Sequence, residues 1–152
     1  MKQLNLPSYS FKTKTKNGVE FIFDGIRNKY VVLTPEEWVR QHMIRFFIEE
    51  KFFPKTLIGV EVQLKVNNIL NRADIVLHDK QGNPLVIVEC KAPSVTISQI
   101  TFDQIARYNM KLKVEYLFIT NGLKHFCCKV DFEKNSYSFL KEIPAFNEIN
   151  GH

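Results

Sequence analysis

Polar and apolar residues change their period several times along this chain, and each change marks an element. "SFKTKTKNGVEFIFD" alternates on both sides of Asn17-Gly18, which predicts an N-terminal β-hairpin with that dipeptide as its turn. "RNKYVVL" predicts a short strand or an extended approach to the next element. In "TPEEWVRQHMIRFFIEEKFFP" the spacing becomes helical, with Val39, Met43, Phe46 and Phe47 on one face and Pro54 as the stop. Thr34 suits the N-cap, Pro35 the first helical position, and Glu37 completes a Thr-x-x-Glu capping box. Three strands come next in "GVEVQLKV", "RADIVLHD" and "PLVIVECKA", the last two joined by "KQGN". "TISQITFDQIARYNMKLK" is helical in period, "VEYLFITNG" reads as a buried strand, and "HFCCKVDF" with "SYSFLKEI" predicts a terminal hairpin. The order predicts a mixed α/β fold, a central sheet flanked by helices (αβββαβ) with a hairpin at either end.

With 152 residues, 45% of them hydrophobic, the chain is long enough for one domain with its own core. We divide it into an N-terminal hairpin extension at 1–32, a core at 33–128, and a terminal strand and tail at 129–152. No 18-residue apolar run predicts a membrane span, and the first residues lack the apolar stretch of a secretory signal, so a cytoplasmic location is expected. The three cysteines show neither a disulfide framework nor zinc-ligand spacing and are expected in the core. His42, His78, His125 and His152 are scattered and make no ligand set. A net charge of +5 favours an anionic partner. Lys12, Lys14 and Lys16 share one strand face, whose plainest reading is a solvated surface.

The anomaly lies in "LVIVECKAPS", where Glu89 and Lys91 interrupt an otherwise buried strand. A two-residue turn (Gln81-Gly82) or a four-residue turn (Lys80 to Asn83) sets Asp74 directly across from Glu89, whereas a three- or five-residue turn would separate them. Alternation then puts Asp74, Glu89 and Lys91 on one patch of sheet. Facing carboxylates repel unless neutralised; a divalent cation with hard oxygen ligands does this, and a plain ion-pair network is the competing reading.

"RADIVLHDKQGNPLVIVECKAP" resembles the core motif of the PD-(D/E)xK restriction-endonuclease-like nucleases. Asp74 stands for the motif aspartate and Glu89-Cys90-Lys91 for the (D/E)-x-K. "QIARY" is similar to the Q-x-x-x-Y element of RecB-like members. "PEEWVRQ", "RADIVL", "VECKAP", "QIARYN" and "ITNG" together resemble the N-terminal nuclease domain of type I restriction enzyme R subunits, over about residues 33–128. Ala73 stands where the superfamily has proline, and no helicase motor follows in these residues, so a complete translocating subunit is not expected.

The resemblance implies a restriction-endonuclease-like core and DNA hydrolysis to a 5′-phosphate with Mg²⁺ or Mn²⁺. The cation would lie on Asp74, Glu89 and the backbone carbonyl of Cys90, with Lys91 orienting water and stabilising charge on phosphorus oxygens. By the helical wheel Glu36 lies in line with Met43 and is aimed at the sheet, while Glu37 lies to one side and serves the cap. Glu36 is therefore the choice for an extra metal contact or water orienter, and Arg40 would pair with either acid or reach a phosphate. Gln104 would position Lys91 or touch the nucleic-acid backbone, and Tyr108 is either a phosphate contact or a packing residue. Expected partners are DNA and a second copy or other restriction or defence subunits. A non-catalytic nucleic-acid- or protein-binding module on the same fold is the alternative function.

Overall fold

Turn chemistry sets the first element of this computed structural model, which describes residues 1–149, without the side chains of Val66 and Ile69. Asn17 and Gly18 both take positive φ, 52° and 77°, the twist that closes two antiparallel strands in a two-residue turn. They join β1 (Thr13–Lys16) to β2 (Val19–Asp24). "RNKYVVL" supplies β3 (Lys29–Val32), which pairs with β2, so the predicted hairpin is a three-stranded antiparallel sheet.

Helix α1 (Pro35–Glu49) starts as expected, with the Thr34 hydroxyl accepting the Glu37 N–H at 3.0 Å. The capping box is only half used, because the Glu37 carboxylate accepts from Arg27, Arg40 and Gln41. The helix ends at Glu49, before Pro54 is reached, and Phe52 turns the chain with φ 62°.

Beyond a single 3-10 turn at Lys55–Leu57 come β4 (Ile58–Val66), β5 (Ile69–His78), β6 (Pro84–Cys90), α2 (Gln99–Met110), β7 (Tyr116–Thr120), β8 (His125–Asp131), β9 (Ser136–Leu140) and a short α3 (Phe146–Ile149). Strands β4 to β9 form one six-stranded mixed sheet in chain order. Its one parallel pair, β6 with β7, is bridged by α2, as a parallel pair requires a crossover. The predicted C-terminal hairpin is β8–β9, and it continues this sheet. Val39, Met43 and Phe47 of α1 bury themselves against Ile75, Leu77, Val86, Val88 and Phe118 on one face; Phe102 and Ala106 of α2 cover Val76, Ile87, Leu117 and Ile119 on the other. Among the described residues no helix is long and apolar enough to cross a membrane. Residues 150–152, including His152, lie outside the described residues.

The β5–β6 connection differs from both turns that the spacing predicts. Asp79 and Asn83 are bonded across a three-residue tip, Lys80 to Gly82, with Asp79 N–H donating to the Asn83 carbonyl at 2.9 Å. Gly82 takes φ 85°, and the Asp79 carboxylate accepts the N–H groups of Gln81 and Asn83 at 2.9 Å. A three-residue tip would shift the register by one. It does not, because His78 pairs with Pro84 while Leu77 pairs with Val86, leaving Leu85 as a bulge that restores the lost residue.

All three cysteines are free and buried; Cys127 packs on the α1 side and Cys128 on the α2 side. Burial pushes their thiols up, Cys127 to about 12 and Cys128 to about 11. In the native protein at pH 8 a disulfide reagent such as DTNB is expected to modify these thiols at least about tenfold more slowly than in denaturant, since the thiolate is the reactive form. Equal rates would contradict the buried placement.

Candidate active site

Ile75 pairs with Val88, and continuing that register by one residue sets Asp74 across from Glu89. The Asp74 Oδ2 accepts the Cys90 backbone N–H at 2.7 Å, which holds the Asp74 carboxylate against the β6 backbone next to Glu89. The sheet reaches this arrangement through a break in its alternation. Val60 and Ile75 pack with the α1-side core, but Val62 and Ala73, two residues along each strand, pack with the α2-side core. Between them lie Glu61, at φ 53°, and Asp74. On regular strands residues two apart share a face. Here the paired strands β4 and β5 switch faces together, which brings the two acids to the boundary of the sheet beneath α1.

From α1, Arg40 reaches down to this boundary. Only 6% exposed, it donates to Asp74 Oδ1 at 3.2 Å, to Glu61 at 3.4 Å and to Glu37 at 3.1 Å. Its Nε is buried without a hydrogen-bond partner among the described residues. Glu37 is bonded in turn by Gln41 and Arg27, and both of these bond Asp24, which is wholly buried at the end of β2. Burial raises the Asp24 carboxyl, but hydrogen bonds from the Arg27 backbone and side chain and from Gln41 outweigh it and leave it below the usual range. A continuous ionic chain thus runs from the N-terminal sheet through α1 to Asp74.

Glu36 stands at the rim, 48% exposed and 3.9 Å from Arg40. Burial first, then the charge of Asp74, hold its carboxyl above the ordinary value, against the opposing pull of Arg40 and Lys91. The helical wheel aims Glu36 at the sheet; the structure instead buries Glu37, which finds Arg27, Arg40 and Gln41 to satisfy it, and keeps Glu36 within electrostatic reach of Asp74 and Lys91. Lys91 continues β6, its backbone N–H bonded to the Thr120 carbonyl. Its ammonium makes no ion pair or hydrogen bond among the described residues, yet its charge lowers both Glu36 and Glu89. Asp74 and Glu89 therefore face each other, and Lys91 and Glu36 lie within electrostatic reach of them.

Gln104 does not join them. It is exposed on α2, with no hydrogen bond among the described residues to Asp74, Glu89 or Lys91. Tyr108 is exposed and donates to the Leu70 carbonyl at 3.0 Å, bracing α2 on β5. The described histidines are held apart, His42 on Trp38, His78 on Leu57, and His125 between Thr120 and Asn5. Sequence reasoning missed Asp24, Arg27, Gln41 and Glu61: Asp24 and Gln41 are polar residues that the fold buries, while Arg27 in a turn and Glu61 on the polar phase of an alternating strand carry no signal.

Burial, then the charge of Asp74 and the hydrogen bond to it, lift the Glu89 carboxyl to about 8. The pair thus holds a proton at neutral pH where two negative charges would repel. Among the described residues no three His, Cys, Asp or Glu side chains converge as a ready ligand set. The donor chemistry nevertheless fits Mg²⁺ or Mn²⁺. Two hard carboxylates whose facing charges raise Glu89 suit an ion that keeps several waters and takes only one or two carboxylates from the protein.

A family model described as the type I restriction enzyme R protein N terminus matches residues 35–144. Among solved structures the chain is similar to one described as an HsdR-subunit fragment of a type I restriction enzyme from Vibrio vulnificus YJ016. The two are 19% identical with a TM-score of 0.48, over 72% of this chain and 24% of that one, so the chain spans about a quarter of its length. No curated protein matches the chain.

A carboxyl raised in the fold and ordinary in the unfolded chain lowers stability as pH rises from its ordinary value of 4.5 to about 8. Glu89→Gln has no proton to lose. In chelator it is expected to melt with the wild type at pH 4 and at least about 3 °C above it at pH 8.5, the shift of roughly 1 kcal/mol for a chain of this size. Equal melting at both pH values would show that Glu89 is not strained against Asp74.

Proposed function

The chain belongs to the family of type I restriction enzyme R protein N termini, and on that premise we propose that it is a divalent-metal-dependent deoxyribonuclease domain with a restriction-endonuclease-like core. The observation that carries the proposal is the register that sets Asp74 across from Glu89, with Asp74 bonded to the Cys90 N–H and Lys91 two residues beyond Glu89. A pair strained in this way costs stability, which is the mark of a site shaped for a ligand rather than for folding.

Asp74, Glu89 and the Cys90 carbonyl would hold Mg²⁺ or Mn²⁺, which when bound polarises the phosphodiester and acidifies water. Arg40 keeps Asp74 Oδ1 engaged and so fixes the orientation of the carboxylate, leaving Oδ2 on the Cys90 side. Lys91, without an ion pair among the described residues, orients the attacking water and neutralises the charge that builds on the non-bridging phosphorus oxygens. Glu36, at the rim with a raised pKa, accepts a proton from that water or turns it toward phosphorus. Gln104 lies too exposed for a share in positioning Lys91 as the chain stands; contact with the backbone of bound DNA is the role left to it. DNA and other restriction subunits are the partners in this reading, with a second copy as the route to cutting both strands. A binding module without catalysis is less well supported, because phosphate contacts require cations and gain nothing from two half-buried, facing carboxylates.

With Mg²⁺ or Mn²⁺ the purified protein is expected to cut DNA and leave 5′-phosphates. Lys91→Ala is expected to lower the rate at least about 100-fold, the usual cost of losing one charge-stabilising donor, at unchanged melting temperature. Equal cutting by the wild type and Lys91→Ala would refute the assignment.

A further inference from the structure

The outward face of the three-stranded sheet takes no part in the carboxylate site, yet its composition is unusual for a solvated surface. Cross-strand partners share a face, and the register places Lys14 beside Phe21 and Phe23 beside Tyr30. Alternation adds Lys12 and Lys16. Ile22 and Asp24, fully buried, point the other way. No acid of β2 shares the outward face, because Glu20 and Asp24 alternate to the opposite one. The rings hold the lysines in place: the Lys14 ammonium lies 4.2 Å from the centre of the Tyr30 ring and that of Lys12 lies 5.8 Å from Phe23. At its inner end this face opens into a groove of about 370 Å³ between the sheet and α1, where Lys12 and Phe23 meet Arg45 and Lys55.

We propose that this face and groove bind a single strand of DNA. Lysines two residues apart on β1 stand about 7 Å from each other, close to one nucleotide repeat of an extended strand. They would take successive phosphates, while the aromatic surface between them takes unpaired bases, a combination that tracks single strands without reading sequence. A duplex keeps its bases stacked and offers this surface only its phosphates. Because the ring contacts fix the lysines beforehand, less side-chain freedom is lost on binding. Asp24 on the inner face is tied through Arg27 and Glu37 to Arg40 and Asp74, so a captured strand would sit at a fixed position relative to the carboxylate pair.

The test is fluorescence anisotropy with a labelled oligo-dT and a duplex of equal length, in chelator and across a salt series. The wild type is expected to prefer oligo-dT. The variant carrying Lys12→Gln, Lys14→Gln and Lys16→Gln is expected to bind it at least about tenfold more weakly, with the log-log salt slope shallower by about 2, the value for three lost phosphate contacts. Tyr30→Ala is expected to weaken oligo-dT binding at least about fivefold and to leave duplex binding unchanged. Neutralising Lys111, Lys113 and Lys134 instead, an equal change of charge elsewhere, is expected to cost less than about twofold. An equal loss in that control, an unchanged affinity in the Lys12/Lys14/Lys16 variant, a preference for duplex, or equal binding of a polyglutamate peptide would each overturn the proposal. Binding is read in chelator, where the proposed metal-dependent cutting does not occur, so failure here and failure of the nuclease assignment are separately visible.

Discussion

Glu89 and Asp74 face each other across neighbouring strands, and the sheet leaves neither carboxylate another place to go. Val88 and Cys90 anchor one side of β6 in the core beneath α1, Ile87 anchors the other under α2, and Ile75 and Val76 do the same for β5. Two negative charges at this distance and burial are unfavourable. A proton held by Glu89, raised to about 8, relieves that repulsion in the isolated fold. The surroundings divide into groups that tolerate the strain and groups that would exploit it. Arg40 is the chief of the first and Lys91 of the second.

The cation supply around the pair is routed through one buried ionic chain. Glu37 accepts from Arg27, Arg40 and Gln41, and Arg27 and Gln41 continue to Asp24. Breaking such a buried chain by removing one partner leaves an uncompensated charge, which is far costlier than the chain is worth as a whole. The chain therefore serves position more than stability. It fixes α1 and the N-terminal sheet against the β4–β5 boundary, where Glu61 and Asp74 mark the joint switch of faces.

Much of this was legible in the residues. Period and turn signals located α1, α2 and the strands of the central sheet, and the pairing of Asp74 with Glu89 came from counting across the β5–β6 turn. The route to that pairing was not legible. A three-residue tip and a bulge at Leu85 cancel each other, and neither leaves a mark in hydrophobic periodicity. The face switch at Glu61 is equally silent, because a left-handed glutamate in a strand depends on what Arg27 and Arg40 offer it from elsewhere in the chain. For the same reason the helical wheel chose between Glu36 and Glu37 without the partners that bury Glu37. Family resemblance named Asp74, Glu89 and Lys91, and the register sets Asp74 across from Glu89 with Lys91 two residues on; Gln104 it named from a motif, and the exposed position on α2 keeps it apart.

If the carboxylate pair is a cation site, a bound divalent ion must displace the proton that Glu89, raised to about 8, holds at neutral pH. Calorimetric titration of Mn²⁺ or Mg²⁺ at pH 7, in two buffers of different ionisation enthalpy, counts that proton directly. Binding with close to one proton released per cation, abolished in Glu89→Gln, is the predicted result. Cation binding that releases no proton, or that survives Glu89→Gln unchanged, would contradict it.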